Sequence, residues 1–284
     1  MRRRVDAVRA LAAPCRLCPR RCEVDRRAGE AGFCGTGFLP VVSSASPHFG
    51  EEPPLVGRGG SGTIFLTGCN LGCVFCQNYD ISHLRAGREI TPQEVGQMML
   101  TLERFGCHNV NFVTPTHQAH AVMEAIRSAR EAGLSVPVVY NCSGYESLEV
   151  LGHLEGFVQI YMPDAKFSRP DSADRYCAAP DYPERMREAL REMHRQVGDL
   201  VVRDGVAVSG LLVRHLLMPG GAEEGKDIID FLCGLSGDTY VNVMAQYRPC
   251  FKAHTVPGID RYPTEEEFFT VREYARSRGL RLAR

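Results

Sequence analysis

The sequence predicts an α/β fold, a parallel sheet flanked by helices, preceded by a small cysteine-rich extension that binds metal. Three observations predict it. From Gly62 onward, short apolar stretches of strand type alternate with longer segments of helical period, about six times over. Before that, residues 1–60 are broken up by glycine, proline and cysteine and carry little periodicity, so they read as a loop-rich unit that needs a staple. The chain has 284 residues, 44% hydrophobic and 24% charged, which fits one large domain with an appendage better than two equal domains. The expected division is 1–60 for the extension and 61–284 for the core.

Each core element has its own local signal. Thr63–Thr67 is a short strand of buried type. Thr91, Pro92 and Glu94 combine an N-cap, a first-turn proline and a capping-box glutamate, so a helix starts there and ends near Gly106. Asn109–Thr114 is the second strand, Ala119–Ala132 a helix closed by Gly133, and Val136–Asn141 the third strand. A short helix over Ser147–Leu154 precedes strand Phe157–Met162, and a helix over Pro183–Val197 stops at Gly198. Arg203-Asp204-Gly205 reads as a hairpin tip. Strand Leu211–Met218, helix Glu223–Leu232 and strand Thr239–Ala245 follow, and Thr264 with Glu267 caps a last helix. Six strand–helix units are fewer than the eight that close a barrel. An open, partial (β/α)6 barrel and a doubly wound sheet both satisfy the pattern, and both gather functional residues at the C-terminal ends of strands.

Charge narrows the partners. The 33 basic and 34 acidic residues are mixed along the chain, leaving no electrostatic footprint for nucleic acid or an anionic membrane. No run approaches the roughly 20 apolar residues of a membrane span, and the arginine-rich start, interrupted by Asp6 and Arg9, lacks the apolar stretch of a signal peptide. A cytoplasmic protein is expected. Of the twelve cysteines, seven fall in two tight groups, which points to metal rather than disulfides.

The first group begins just past the first strand: Cys69, Cys73 and Cys76, spaced CxxxCxxC with Phe75 before the last cysteine. Three thiolates on a four-iron cubane leave one iron free for a ligand. Catalytic zinc with three protein ligands and an open position is the competing account. The second group, Cys15, Cys18, Cys22 and Cys34, supplies four ligands for a closed site, either structural zinc or an auxiliary [4Fe–4S] cluster. The remaining Cys107, Cys142, Cys177, Cys233 and Cys250 read as small core residues.

The order CxxxCxΦC at a first strand's exit resembles the signature of the radical S-adenosylmethionine (SAM) superfamily. The likeness implies a [4Fe–4S] cluster whose free iron holds SAM, a 5′-deoxyadenosyl radical released by one-electron cleavage, and a reductant such as flavodoxin or ferredoxin. The other strand ends then become candidate SAM contacts. Thr114 and Thr116 stand where superfamily members often carry Gly-Gly-Glu, absent here; Asn141 and Ser143 end the third strand. Asp164-Ala165-Lys166 resembles the Asp-x-Lys segment of glycyl-radical activating enzymes and would suit a zwitterion. Alternation puts Arg214 and His215 on opposite faces of the fifth strand, with Arg214 the candidate carboxylate clamp and His215 a core residue. Tyr247, in Gln246-Tyr247-Arg248 after the last strand, is a second catalytic candidate.

Segments across the chain, among them CRLCPRRCEVDR, PHFGEEPPLVGRGGSGTIFLTGCNLGCVFCQNYDIS, NFVTPTH, YNCSGY, YMPDAK, YCAAPDY, VRHLLMPG and VNVMAQYRP, resemble an uncharacterised group of iron–sulfur proteins related to pyruvate formate-lyase activating enzyme. That resemblance implies a partial (β/α)6 barrel with SAM and a cluster. The expected reaction is hydrogen abstraction, from a protein or peptide as in activating enzymes, or from a small molecule or peptide natural product with the second site as an auxiliary cluster. A non-catalytic metal-binding assembly protein is the reading from another class.

Overall fold

In the computed structural model, which describes residues 1–283, the chain opens with helix α1 (Arg2–Ala10). After the cysteine-rich loops it enters strand β1 (Val41–His48) and the short helix α2 (Pro53–Val56). Strand β2 (Ser61–Leu66), α3 (Tyr79–Ser82) and β3 (Arg88–Glu89) lead to α4 (Pro92–Arg104). Strands and helices then alternate through β4 (Val110–Val113), α5 (Ala119–Glu131), β5 (Val138–Cys142), α6 (Leu148–Leu154) and β6 (Ile160–Pro163). The helix pair α7 (Pro170–Cys177) and α8 (Tyr182–Val197) precedes β7 (Val201–Arg203) and β8 (Val206–Leu216). Helix α9 (Ala222–Leu235), β9 (Tyr240–Met244), α10 (Glu265–Ser277) and β10 (Arg281–Leu282) follow.

Among the described residues the strands form one sheet in the order β10, β9, β8, β6, β5, β4, β2, β1, β3, with β7 beside β8. From β2 to β9 the main strands run parallel, because each is reached through a helical crossover. From β2 to β9 the strands succeed one another in chain order, without the reversal of a doubly wound sheet, and the path ends at β3 and β10 without closing, so of the two predicted solutions the open, partial barrel is the one adopted. Alternation separates its faces. Tyr140, Tyr161, Leu211 and Val213 pack under the helices in the main core, each fully buried side chain worth roughly 1.5–3 kcal/mol. Val139, Ile160, Met162 and Leu212 point the other way and form a second, smaller core on the concave side with Leu55 of α2.

Both predicted capping boxes are present. The Glu94 amide donates to Thr91 Oγ1 at 3.2 Å while Glu94 Oε2 accepts from the Thr91 amide at 2.7 Å, and Thr264 and Glu267 repeat the exchange at 3.1 and 2.7 Å. Residues 1–60 are more ordered than their composition predicts. Val5 and Val8, three apart on α1, are buried in the main core, and β1 pairs antiparallel with β2, so the extension adds a strand to the sheet. Small polar residues in VVSSASPH conceal that strand from a search for apolar alternation. Helix α7 was also unforeseen; Pro170 at its first turn starts it.

Candidate active site

The loop after β2 carries Cys69, Cys73 and Cys76 to the C-terminal end of the sheet, where all three line a cavity of about 360 Å³. Two glycines with left-handed backbone let the loop press against the cysteine-rich segment. A Cβ on Gly68 (φ +77°) would stand 2.7 Å from the Cys34 carbonyl oxygen, and one on Gly72 (φ +70°) 2.8 Å from the Phe33 ring. Each of the three sulfurs accepts a hydrogen bond: Cys69 from the Leu71 amide at 3.3 Å, Cys76 from the Ser82 hydroxyl at 3.1 Å, and Cys73 from the Cys177 thiol at 3.4 Å. Burial pushes the Cys69 thiol up to about 12 and raises Cys76, so both must release protons to bind a metal.

Arg20 fastens this loop. Its guanidinium donates to the carbonyl oxygens of Asn70 (2.9 Å), Leu71 (3.1 Å), Cys177 (2.8 Å) and Ala178 (2.5 Å), and it lies 3.9 Å above the Phe33 ring. One side chain from the N-terminal cysteine segment thus joins the CxxxCxxC loop to the end of α7. The planar fork of arginine permits this, and a lysine would not reproduce it.

Inside the cavity, Asp164 accepts from Lys166 Nζ at 2.6 Å and from Arg214 Nε at 2.8 Å, and Arg214 Nη2 donates to Asn141 Oδ1 at 2.7 Å. This is an enclosed charge cluster, its side chains 13–16% exposed. Burial alone would raise the Asp164 pKa, but Arg214 and Lys166 outweigh it and hold the carboxylate below its usual range. For Lys166, burial is likewise outweighed by Asp164 and Cys73, and its pKa rises.

The structure brings Phe75, Thr114, Asn141, Ser143, Asp164, Lys166 and Arg214 to this one cavity. Thr114 has φ +59°, a conformation costly for a β-branched residue and found where a site over-determines the backbone. The Ser143 hydroxyl is buried with no hydrogen-bond partner among the described residues. Two candidates fall elsewhere. Thr116 is turned behind the sheet by a tight helical turn (Thr116–Gln118) and donates to Glu146 Oε1 at 2.6 Å. Tyr247 is fully buried, donates to the Ile259 carbonyl at 2.5 Å and supports the Phe75 ring from 5.7 Å, so it is a positioning residue; Gln246 faces the cavity instead. His215 lies on the helix side, contacting the Ala165 carbonyl oxygen at 2.7 Å.

Cys15, Cys18, Cys22 and Cys34 surround a separate cavity of about 10 Å³, together with Arg20, Arg26 and His117, space for one water. Among the described residues, no three His, Cys, Asp or Glu side chains are drawn together around a single metal ion. Sequence reasoning missed Cys177, which no spacing rule could reach, and Glu51 and His48, which the fold brings to the cavity from β1 and the turn after it.

Comparison with known proteins settles the family. Residues 63–232 match the Radical SAM superfamily. The chain belongs to the radical SAM superfamily. It is 31% identical over 287 residues to the uncharacterized protein MJ0674 of Methanocaldococcus jannaschii, spanning 98% of this chain and 79% of that one. A second uncharacterized protein of that organism, MJ0808, is 28% identical over 156 residues, 48% of this chain and 45% of its own. SuiB of Streptococcus suis superposes with TM-score 0.50 at 14% identity, over 76% of this chain and 47% of SuiB. Methylornithine synthase (PylB) also gives 0.50, at 16% identity, over 78% of this chain and 63% of that structure. The chain thus spans about half of SuiB, and these two likenesses concern the fold alone. Among the described residues no helix is long and apolar enough to cross a membrane.

Superfamily membership implies radical catalysis with a [4Fe–4S] cluster and SAM. The residues fit both: three cysteine sulfurs, each with its own donor, open onto a cavity that holds an enclosed charge cluster and an orphaned hydroxyl.

Proposed function

We propose that Cys69, Cys73 and Cys76 hold the catalytic cluster, and that Arg214, Lys166, Asp164, Asn141 and Ser143 receive SAM in the adjoining cavity. When bound, cluster and SAM supply a one-electron cleavage that yields a hydrogen-abstracting deoxyadenosyl radical. The observation carrying this reading is that all three sulfurs, every one hydrogen-bonded, face the same cavity as the Asp164–Lys166–Arg214 cluster. The chain's own work is to orient and to exclude water. Phe75, Val113, Leu216 and Met244 give the cavity apolar walls, and the fixed charges meet a zwitterion without having to reorganise.

The substrate reading is hydrogen abstraction from a protein or peptide, with flavodoxin or ferredoxin as electron donor. Its support is the Asp-x-Lys segment and an aromatic rim beside the cavity, where Tyr79 and His83 stack on Phe251. The four N-terminal cysteines form a second metal site, zinc or an auxiliary cluster, in the cytoplasmic enzyme. Anaerobic protein should yield 5′-deoxyadenosine from SAM and dithionite in wild type and not in Cys73→Ala. Loaded wild type that cleaves no SAM would overturn the enzyme reading. A rise in yield with polypeptides favours the protein substrate, and a rise only with small molecules refutes it. Iron, sulfide and zinc counts on the same sample identify the second metal.

A further inference from the structure

Segment 47–57, unused by cluster and SAM, forms the floor of the cavity. His48 ends β1 opposite Ser61, the first residue of β2, so the chain turns at the N-terminal end of the parallel strands. Leu55 then enters the concave side and packs with Val139, Ile160, Met162 and Leu212, and Asn109 Nδ2 donates to the Leu55 carbonyl oxygen at 2.8 Å. Glu52 is anchored by Asn242 Nδ2, 2.9 and 3.0 Å from its two oxygens.

Its neighbour Glu51 has no such anchor. It lines the cavity with a side chain 9% exposed, and no hydrogen bond reaches its carboxylate among the described residues. The nearest cation, Arg214, is 3.9 Å away and already bound to Asp164 and Asn141. Lys166 is likewise bound to Asp164. The lining therefore holds two carboxylates, and both of its cations hydrogen-bond to Asp164, leaving Glu51 only the long 3.9 Å contact with Arg214. Enclosing a carboxylate with no donor is costly unless a partner of opposite charge arrives. Apolar Phe65, Leu216 and Met244 share the cavity with Glu51, which suits the stem of a long cationic group.

We propose that Glu51 is the anionic anchor for a cationic substrate group, a primary ammonium or guanidinium, reaching the floor of the cavity. The inference rests on the radical SAM reading of that cavity. The group belongs either to a free amine or to a basic side chain of a peptide.

The test is calorimetric titration of reconstituted, SAM-loaded protein with agmatine, with acetyl-glycyl-arginyl-glycine amide, and with the same peptide carrying citrulline, a neutral isostere of arginine. A cationic probe should bind wild type about tenfold or more tightly than the citrulline peptide. Glu51→Gln should erase that preference and Glu51→Asp should keep part of it. Binding of agmatine marks a free amine as the source; binding of the arginine peptide alone marks a polypeptide. The proposal falls if neither agmatine nor the arginine peptide binds wild type more tightly than the citrulline peptide does, or if Glu51→Gln weakens SAM as much as the probe. Failure of wild type to cleave SAM would instead overturn the underlying reading, so the two failures are told apart.

Discussion

The sulfur of Cys177 lies 3.4 Å from that of Cys73, although 104 residues separate them in the chain. Cys177 is held there by the end of α7: Ala178 takes the left-handed cap conformation, and the Val74 amide donates to the Tyr176 carbonyl at 2.9 Å. Hydrogen bonds to cluster sulfurs are among the determinants of iron–sulfur potentials. Cys177→Ala should therefore move the midpoint potential of the cluster on Cys73 tens of millivolts more negative, with Cys177→Ser staying near wild type. A redox titration followed by EPR reads both. Equal potentials in Cys177→Ala and wild type would mean that the thiol contributes only packing.

Arg20 makes its four backbone contacts across the cluster loop and the end of α7. Charged hydrogen bonds each contribute roughly 1.5–3 kcal/mol and are non-additive. Arg20→Ala should cost at least about 2 kcal/mol and loosen the cluster loop, so iron should be lost faster to a chelator. Arg20→Lys should rescue little of this, since it restores charge without the planar fork. Chelation half-lives at equal initial iron loading make the comparison, and an unchanged half-life in Arg20→Ala would refute the role.

Asp164 is the shared counter-ion of Lys166 and Arg214. Asp164→Asn keeps the shape and leaves Lys166 without its carboxylate and Arg214 with only the 3.9 Å contact to Glu51; removing one partner of a buried pair costs about 3–5 kcal/mol. Replacing Arg214 with methionine as well should recover part of the loss by removing one stranded charge. Denaturant midpoints of the two variants and wild type decide this. A double variant less stable than Asp164→Asn would contradict it.

What was legible in the sequence is what neighbouring residues determine. Thr91 with Glu94 and Thr264 with Glu267 announce helices because capping is local. Arg214 could be placed in the cavity because alternation holds along a regular strand. Tyr247 escaped the same logic, since β9 ends at Met244 and the chain has left the strand before it. Thr116 was misplaced because the turn that hides it follows β4 at once. Cys177 and Glu51 depend on packing between distant segments, and Val41–His48 becomes a strand through its pairing with β2.

Glu146 gives a pH dependence that follows from burial. It is enclosed behind the sheet, accepting from the Thr116 hydroxyl at 2.6 Å and the Tyr140 hydroxyl at 3.3 Å. Burial raises its pKa to about 7, and those hydrogen bonds only partly offset the rise. A carboxyl group whose pKa is higher folded than unfolded favours the native state when protonated. Its contribution is complete below the unfolded value of about 4.3 and is lost as pH rises through about 7, a swing on the order of 3 kcal/mol. Glu146→Gln stays neutral throughout, so its stability relative to wild type should grow between about pH 4 and pH 7 and level off above. Melting temperatures of both proteins at matched cluster loading across that range measure the difference. A constant difference would show that Glu146 does not titrate there.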